Sequence, residues 1–253
     1  MKIMKMKTEL KELLEGSSPL MEMFKDKAPG TYRHCQNVAA LCESVASELV
    51  LDTDTLVVAA KLHDLGKTNN PGWFSENQPD DSNPHDDLDI VVSYQYIRSH
   101  VSDTVLKLIQ IPDIPREVIE VISYHHGDSV IKSIYLKAKK KFNGSTVIDN
   151  YRYKCRKPPT IESAVLMICD VVESACRSMN NNGKLKNHKS VIDTLINDIS
   201  EDAQIDILKI GDLRVIRKIL YREIDSVYHK RVLYEEVGEE VGEEVGEEVG
   251  ESI

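Results

Sequence analysis

Lys61-Leu62-His63-Asp64-Leu65-Gly66-Lys67 closes a stretch that is almost entirely apolar from Leu56 onward. Such a segment, Leu56 to Leu65, reads as a helix buried on most sides. Asp54 is placed to cap its start, and Gly66 offers it a stopping point. His63 and Asp64 project about 100° apart around the helix axis. They are therefore interior polar groups on two sides of one helix end, and buried polar groups need partners. Lys67 falls near the mouth of whatever cavity forms there.

Outward from this stretch the apolar spacing is helical almost everywhere. Val38, Leu41, Cys42, Val45, Ala46 and Leu49 define a helix from Thr31 to Val50, with His34 in its first turn. Residues 7–15 predict a short amphipathic helix ended by Gly16-Ser17-Ser18-Pro19. Residues 69–87 read as a long loop, the kind that in compact domains often serves function. Helical spacing resumes over 88–100, ends at His100, and is followed by a segment over 101–109. Pro115 starts a helix that leads to Tyr124-His125-His126-Gly127. Further helices are expected over 129–141, after a Thr160 cap, and over 187–200 and 212–231. No alternating run argues for a strand, so the fold class is all-α.

The chain has 253 residues, 41% hydrophobic and 29% charged, the profile of an ordinary soluble protein. No apolar run is long enough to cross a bilayer, and no signal-peptide core follows the basic start, so a cytoplasmic location is expected. Nine of the 42 acidic residues lie in the last nineteen positions, leaving a body of 33 acidic against 32 basic residues. That balance offers no basic stripe for duplex nucleic acid. The (Glu-Glu-Val-Gly) repeats from Glu235 to Gly250 cannot bury a core and read as a flexible acidic tail. The five cysteines show no paired short spacing and read as buried core residues in a reducing compartment.

His34, His63, His100, His125 and His126 all sit in mostly apolar helical segments, where each would need its own polar partner. With Asp64 and Asp170 they exceed what one tetrahedral zinc site uses. The set fits two six-coordinate divalent ions, bridged by a carboxylate and a water-derived oxygen. Nitrogen and oxygen donors without thiolate favour iron or manganese. Cys35 and Cys169 adjoin two of these residues but point about 100° away on a helix, so they are not counted. His188 and His229 lie in polar surroundings and read as surface residues.

The order His34, His63-Asp64, His100, His125-His126, Asp170 resembles the HD phosphohydrolase superfamily. More narrowly, the chain is similar to the cytoplasmic HD domain of seven-transmembrane HD receptors, the PgpH-type cyclic di-AMP phosphodiesterases. The similarity also rests on residues 28–34, Phe74-Ser75-Glu76-Asn77-Gln78, Asn83-Pro84-His85-Asp86, Ser99-His100-Val101, Tyr151-Arg152-Tyr153 and Asp170-Val171-Val172-Glu173. It covers about residues 18 to 234, between an N-terminal helical extension over 1–17 and the tail over 235–253. Cys35 stands where the family usually has serine, and Cys169 where it has a small alanine. The tail is foreign to the family, and the 253 residues contain no counterpart of its sensor and membrane helices, so a free-standing catalytic module is expected. The Gly-Tyr-Pro word of cyclic di-GMP hydrolases is missing.

The resemblance implies a single HD helical bundle and metal-assisted hydrolysis of a cyclic dinucleotide, cyclic di-AMP to linear pA-pA. Asp64 would bridge two metal ions. His34, His63 and Asp170 would serve one, and His100 with the His125–His126 pair the other. Lys67 is the candidate to hold a phosphate oxygen. Glu173 is a candidate partner for a ligating imidazole. Arg177 is a candidate phosphate contact, or simply a partner for Glu173. From the 69–87 loop, Asn77, Gln78, Asn83 and His85 are candidate base contacts, or braces of the loop itself. Trp73 or Phe74 could stack on a base, with Tyr135, Tyr151 and Tyr153 as weaker candidates. Other cyclic or linear oligonucleotides, nucleotide phosphates, and a non-catalytic nucleotide sensor are the alternative readings. A homodimer is left open.

Overall fold

The computed structural model describes residues 10, 14, 15, 17–78 and 83–226. Most of the 1–17 extension, residues 79–82, His229 and the acidic tail lie outside that set. Among the described residues there are helices and turns but no strand, only an isolated antiparallel bridge between Val130 and Arg152. The fold is all-α.

Two prolines open it, each in the first helical turn, where the missing amide would have no partner anyway. α1 spans Pro19–Lys27, and the Ser18 hydroxyl accepts from the Met21 amide at 3.3 Å. The apolar pattern does not predict α1, because only Met21 and Phe24 of its nine residues are buried. α2 spans Pro29–Leu49. α3 spans Thr53–Leu62, and its cap is Asp52, whose carboxylate accepts from the Thr55 amide at 3.2 Å. Asp54, expected as the cap, already lies inside the helix.

α4 runs unbroken over Ile90–Leu108. The expected stop at His100 does not occur, since no glycine or proline interrupts the segment. α5 spans Arg116–Ser123 behind Pro115, and α6 spans Lys132–Lys141. α6 starts later than predicted because Ser129 and Ile131 pair with the 151–153 segment. The Ile131 amide donates to the Tyr151 carbonyl at 2.8 Å, and the Tyr153 amide to the Ser129 carbonyl at 2.9 Å. α7 spans Ile161–Asn181 behind a Thr160–Ser163 capping box. α8 spans His188–Glu201, and α9 is helical over residues 210–226.

α3 lies at the centre, packed on α2, α5 and α7. Its Leu56, Ala59, Ala60 and Leu62 are fully buried, in one apolar core that runs from Met21 to Ile224. Each large side chain so buried contributes roughly 1.5–3 kcal/mol. α3 ends at Leu62, with His63 as its C-cap, three residues before the expected last residue Leu65. Gly66 serves instead a close approach. The 3₁₀ turn Leu65–Asn69 packs on α4, and a Cβ at Gly66 would collide with the His100 carbonyl and the Thr104 amide. The Gly66 amide donates to the Thr104 hydroxyl at 2.8 Å. That hydroxyl lies 3.0 Å from the His63 carbonyl and 2.9 Å from that of His100, clamping two histidine-bearing segments together. The expected loop over 69–87 is largely a run of 3₁₀ turns, at Pro71–Trp73, Ser75–Asn77 and Pro84–Asp86. No helix among the described residues is long and apolar enough to cross a membrane.

Candidate metal centre

Five segments deliver the seven candidate ligands to one interior point. His34 comes from the second turn of α2, His63 from the C-cap of α3, and Asp64 from the residue after it. His100 lies within α4, His125 and His126 follow α5, and Asp170 lies within α7. The ligand atoms of His34, His63 and Asp170 lie within 4.8 Å of one another, and so do those of His100, His125 and His126. Asp64 stands between the two triads. Its Oδ2 is 3.4 Å from His63 Nε2 and 3.8 Å from His34 Nε2, and its Oδ1 is 3.3 Å from His100 Nε2. Asp170 reaches across as well, 3.0 Å from His34 Nε2 and 3.7 Å from His126 Nδ1.

The outer edge of each ring fixes its inner edge. His63, His100 and His125 each turn Nδ1 to the carbonyl three residues earlier: Ala60 at 2.8 Å, Ile97 at 2.6 Å and Ile122 at 2.6 Å. A carbonyl only accepts, so each Nδ1 carries a proton, and in the neutral ring it is Nε2 that keeps the lone pair. His34 Nδ1 instead pairs with the Glu173 carboxylate. Glu173 is 2% exposed and also accepts from Asn37 Nδ2 at 2.8 Å and Arg177 Nε at 3.3 Å.

Three inward atoms, His63 Nε2, Asp64 Oδ1 and His125 Nε2, are buried without a hydrogen-bond partner. Orphaned lone pairs at one point are costly, and a cation answers all of them at once. The donor set therefore fits metal. The seven candidate ligands offer nitrogen and oxygen, with outer-edge partners of the kind that orient metal-binding imidazoles, and the Cys35 thiol also lies within 4.8 Å of donor atoms of His63 and Asp64.

The electrostatics divide the centre in two. Burial alone would depress the His34 imidazolium, but hydrogen bonds to Asp170 and Glu173 hold it up to about 10. His63 is likewise raised against its burial, by Cys35, Asp64 and Asp170. On the other side burial and cationic neighbours act together, and His125 falls to about 3. His100 and His126 also fall, burial being the largest cause. Burial pushes Asp64 up, but Lys67 and His63 bring it well below the usual carboxylate range. Asp170 is lowered by His34 and His63 against its own burial.

Lys67 Nζ sits 2.8 Å from Asp64 Oδ2 and 2.8 Å from Glu76 Oε1, over the Phe74 ring at 4.7 Å. Glu76 also accepts from Thr31 Oγ1 at 2.9 Å, and against its burial Lys67 brings it down to about 2. Glu76 lies in the Phe74-Ser75-Glu76-Asn77-Gln78 word without an expected role, and the sequence signal for it is a carboxylate nine residues after Lys67. Cys35 Sγ, not counted among the expected ligands, lies 3.6 Å from the outer nitrogen of His63.

Several side chains expected to contact substrate have partners within the fold. Asn77 Oδ1 accepts from the Gly30 and Thr31 amides at 2.9 and 3.1 Å, and its Nδ2 donates to Thr31 Oγ1 and the Pro71 carbonyl. Its polar atoms thus tie the start of α2, leaving nothing for a ligand. Gln78 Nε2 donates to the Gly72 carbonyl at 3.1 Å, and Asn83 Oδ1 accepts from the His85 amide at 3.1 Å. His85 Nε2 pairs with the Trp73 carbonyl at 2.8 Å. Trp73 stacks on Tyr96 at 4.4 Å, and Phe74 is buried against His100. Tyr135 lines a separate cavity between α6 and α8, and Arg177 takes the Glu173 pairing. Tyr153, a weaker candidate, stacks on His126 with ring centres 4.4 Å apart.

A family model described as "HD domain" matches residues 31–175. The cyclic-di-AMP phosphodiesterase PgpH of Bacillus subtilis (strain 168) is 34% identical over 229 residues, covering 90% of this chain and 32% of that protein. PgpH of Listeria monocytogenes serotype 1/2a (strain 10403S) is 34% identical over 231 residues, with 90% and 32% covered. The chain thus spans about a third of the length of the curated relatives it matches. The crystal structure of the L. monocytogenes PgpH HD domain in complex with cyclic-di-AMP is similar with a TM-score of 0.76 at 34% identity. That match covers 84% of this chain and 99% of the solved one.

Proposed function

The chain belongs to the HD domain family, and from that premise we propose that it is a metal-dependent phosphodiesterase that hydrolyses cyclic di-AMP to linear pA-pA. The observation that carries this reading is the set of orphaned inward atoms, His63 Nε2, Asp64 Oδ1 and His125 Nε2, between two buried triads. His34, His63 and Asp170 would hold one divalent ion and His100, His125 and His126 the other, with Asp64 shared. The absence of thiolate from the set favours iron or manganese. Such a pair supplies an activated water at neutral pH and neutralises charge on the attacked phosphate.

The chain's own residues do the rest. Ala60, Ile97 and Ile122 hold three imidazoles in the tautomer that offers Nε2. Glu173 steadies the fourth. Lys67 pairs with Asp64 Oδ2, while Oδ1 has no hydrogen-bond partner of its own. Two of its three ammonium donors are engaged by carboxylates, and the third is available to a nonbridging phosphate oxygen. Burial of all but the His126 side excludes bulk water from the remaining charges. In the net reaction the water oxygen bonds to phosphorus, the P–O3′ bond breaks, and a proton ends on the 3′ oxygen.

The test is incubation with a panel of cyclic dinucleotides in manganese buffer, followed by chromatography, with Asp64→Ala as control. Conversion of cyclic di-AMP to the linear dinucleotide, abolished in the variant, is expected. Metal bound at the centre without turnover of any cyclic or linear nucleotide would leave a sensor in place of an enzyme.

A further inference from the structure

A cavity of about 570 Å³ borders the metal centre along α4, against the turn after α5 and the 153–155 segment. Its volume falls within the ~300–1,000 Å³ of sites that hold small-molecule ligands. His126 forms part of its wall. His126 is also the most exposed of the seven candidate ligands, with 18% of its side chain accessible against 8% for Asp170 and 2% or less for His34, His63, Asp64 and His100. His126 is therefore the candidate ligand through which the centre borders this cavity. A ligand whose phosphate is cleaved at the centre must place its remainder in space that adjoins a metal-binding side chain.

The wall has the chemistry of a nucleotide site. Arg98 and Lys154 supply cations, and Val101, Val105 and Leu106 an apolar side. The Arg98 guanidinium lies over the Tyr94 ring at 5.4 Å, with no carboxylate partner among the described residues. Lys154 is exposed, and among the described residues its Nζ reaches the Asp149 carbonyl at 3.3 Å. Tyr153 lines the cavity while its ring stacks on His126, held there by its backbone bond to Ser129. A second cavity of about 660 Å³ carries Lys137, Lys140 and Lys141 together with Asn83 and His85. It has none of the seven candidate ligands in its wall.

We propose that the groove along α4 binds the part of the dinucleotide remote from the cleaved phosphate, with Arg98 and Lys154 receiving its second phosphate and Tyr153 stacking a base. This rests on the phosphodiesterase reading above and assigns substrate affinity to residues outside the candidate metal ligands. Guanidinium and ammonium groups suit phosphate, and an aromatic ring accepts either purine by its π face.

The experiment uses the manganese-loaded full chain and a non-hydrolysable phosphorothioate analogue of cyclic di-AMP, titrated by calorimetry. Turnover of cyclic di-AMP is measured in parallel. Arg98→Ala combined with Lys154→Ala should raise Kd and KM at least tenfold, with the loss falling on KM more than kcat and the metal content unchanged. Tyr153→Leu should weaken analogue binding several-fold, and Lys140→Ala with Lys141→Ala should leave it unaltered. Wild-type affinity in the Arg98/Lys154 variant, or a tenfold loss in the Lys140/Lys141 variant instead, overturns the groove while the activity stands. A wild-type chain that binds neither cyclic nor linear adenine dinucleotide overturns the substrate reading and the groove with it.

Discussion

Replacing Glu173 with glutamine tests whether the centre is tuned from behind His34. One Glu173 oxygen accepts from Asn37 and the other from His34 and Arg177, at 2% exposure. Glutamine keeps the shape and can still accept from His34. Its amide then faces the Asn37 side chain, which can turn its own carbonyl inward to meet it. Folding should therefore survive, and the change isolates the charge. Without that charge the His34 imidazole is less basic and less firmly aimed. Outer-sphere partners of this kind are typically worth 10–100-fold in metal affinity, which is about 1.4–2.7 kcal/mol. The assay is metal retention against a graded chelator series, read by elemental analysis, with circular dichroism to check the fold. Activity should return when manganese is raised by the same factor. A Glu173→Gln chain that folds and holds metal as tightly as wild type would refute the reasoning.

Lys67→Met leaves the Asp64 and Glu76 carboxylates buried without their shared cation. The metal-free chain should lose about 3–5 kcal/mol, the usual cost of breaking a buried pair from one side; a urea midpoint unchanged from wild type would contradict this. Glu76, held down to about 2, contributes stability that is present above about pH 4.5 and lost as pH falls through its folded value. Acid unfolding of the metal-free chain should follow that window and be displaced in Glu76→Gln. His34, held up to about 10, has the opposite sign. Its contribution to the metal-free fold is complete below about pH 6.5 and lost as pH rises toward 10. The same proton must leave before a metal binds, so apparent metal affinity should rise by up to about tenfold per pH unit over that range. Chelator competition at pH 7, 8 and 9 reads this directly, and a flat profile would count against it. Gly66→Ala should cost several kcal/mol, on the order of the larger backbone-strain and overpacking effects, because the added methyl meets the backbone of α4. A melting temperature within a degree of wild type would show that the turn can shift.

The helices and the point where they meet were legible in the sequence to different degrees. Five histidines in apolar segments stand out because a buried imidazole has to be explained, whatever surrounds it. α1 did not stand out, because two buried side chains make no period. The candidate substrate contacts were harder still. An asparagine that ties a helix start, as Asn77 does, has the same letter as one that reads a base. Only its partners differ, and these lie 46 and 47 residues away in the chain. Cys35 shows the limit of helical-wheel reasoning. A wheel turns it about 100° from His34. That its Sγ meets the outer edge of His63 is a property of how α2 meets the end of α3.

The same distinction explains how the centre can be encoded at all. His63, His100 and His125 each anchor Nδ1 on the carbonyl three residues back, a contact within one turn of their own segments. Tautomer and tilt are thus set locally, and tertiary packing has only to bring three finished units together. That packing comes from apolar contacts among α2, α3, α5 and α7, which would form with any partner-free polar groups left inside. The Thr104 hydroxyl and the close approach at Gly66 then fix the spacing between the His63 and His100 segments. An apolar scaffold strong enough to confine lone pairs that nothing in the chain satisfies holds the centre open energetically. Any cation that satisfies them stabilises the fold by mass action, so metal affinity and the stability of the bundle are two measures of one quantity.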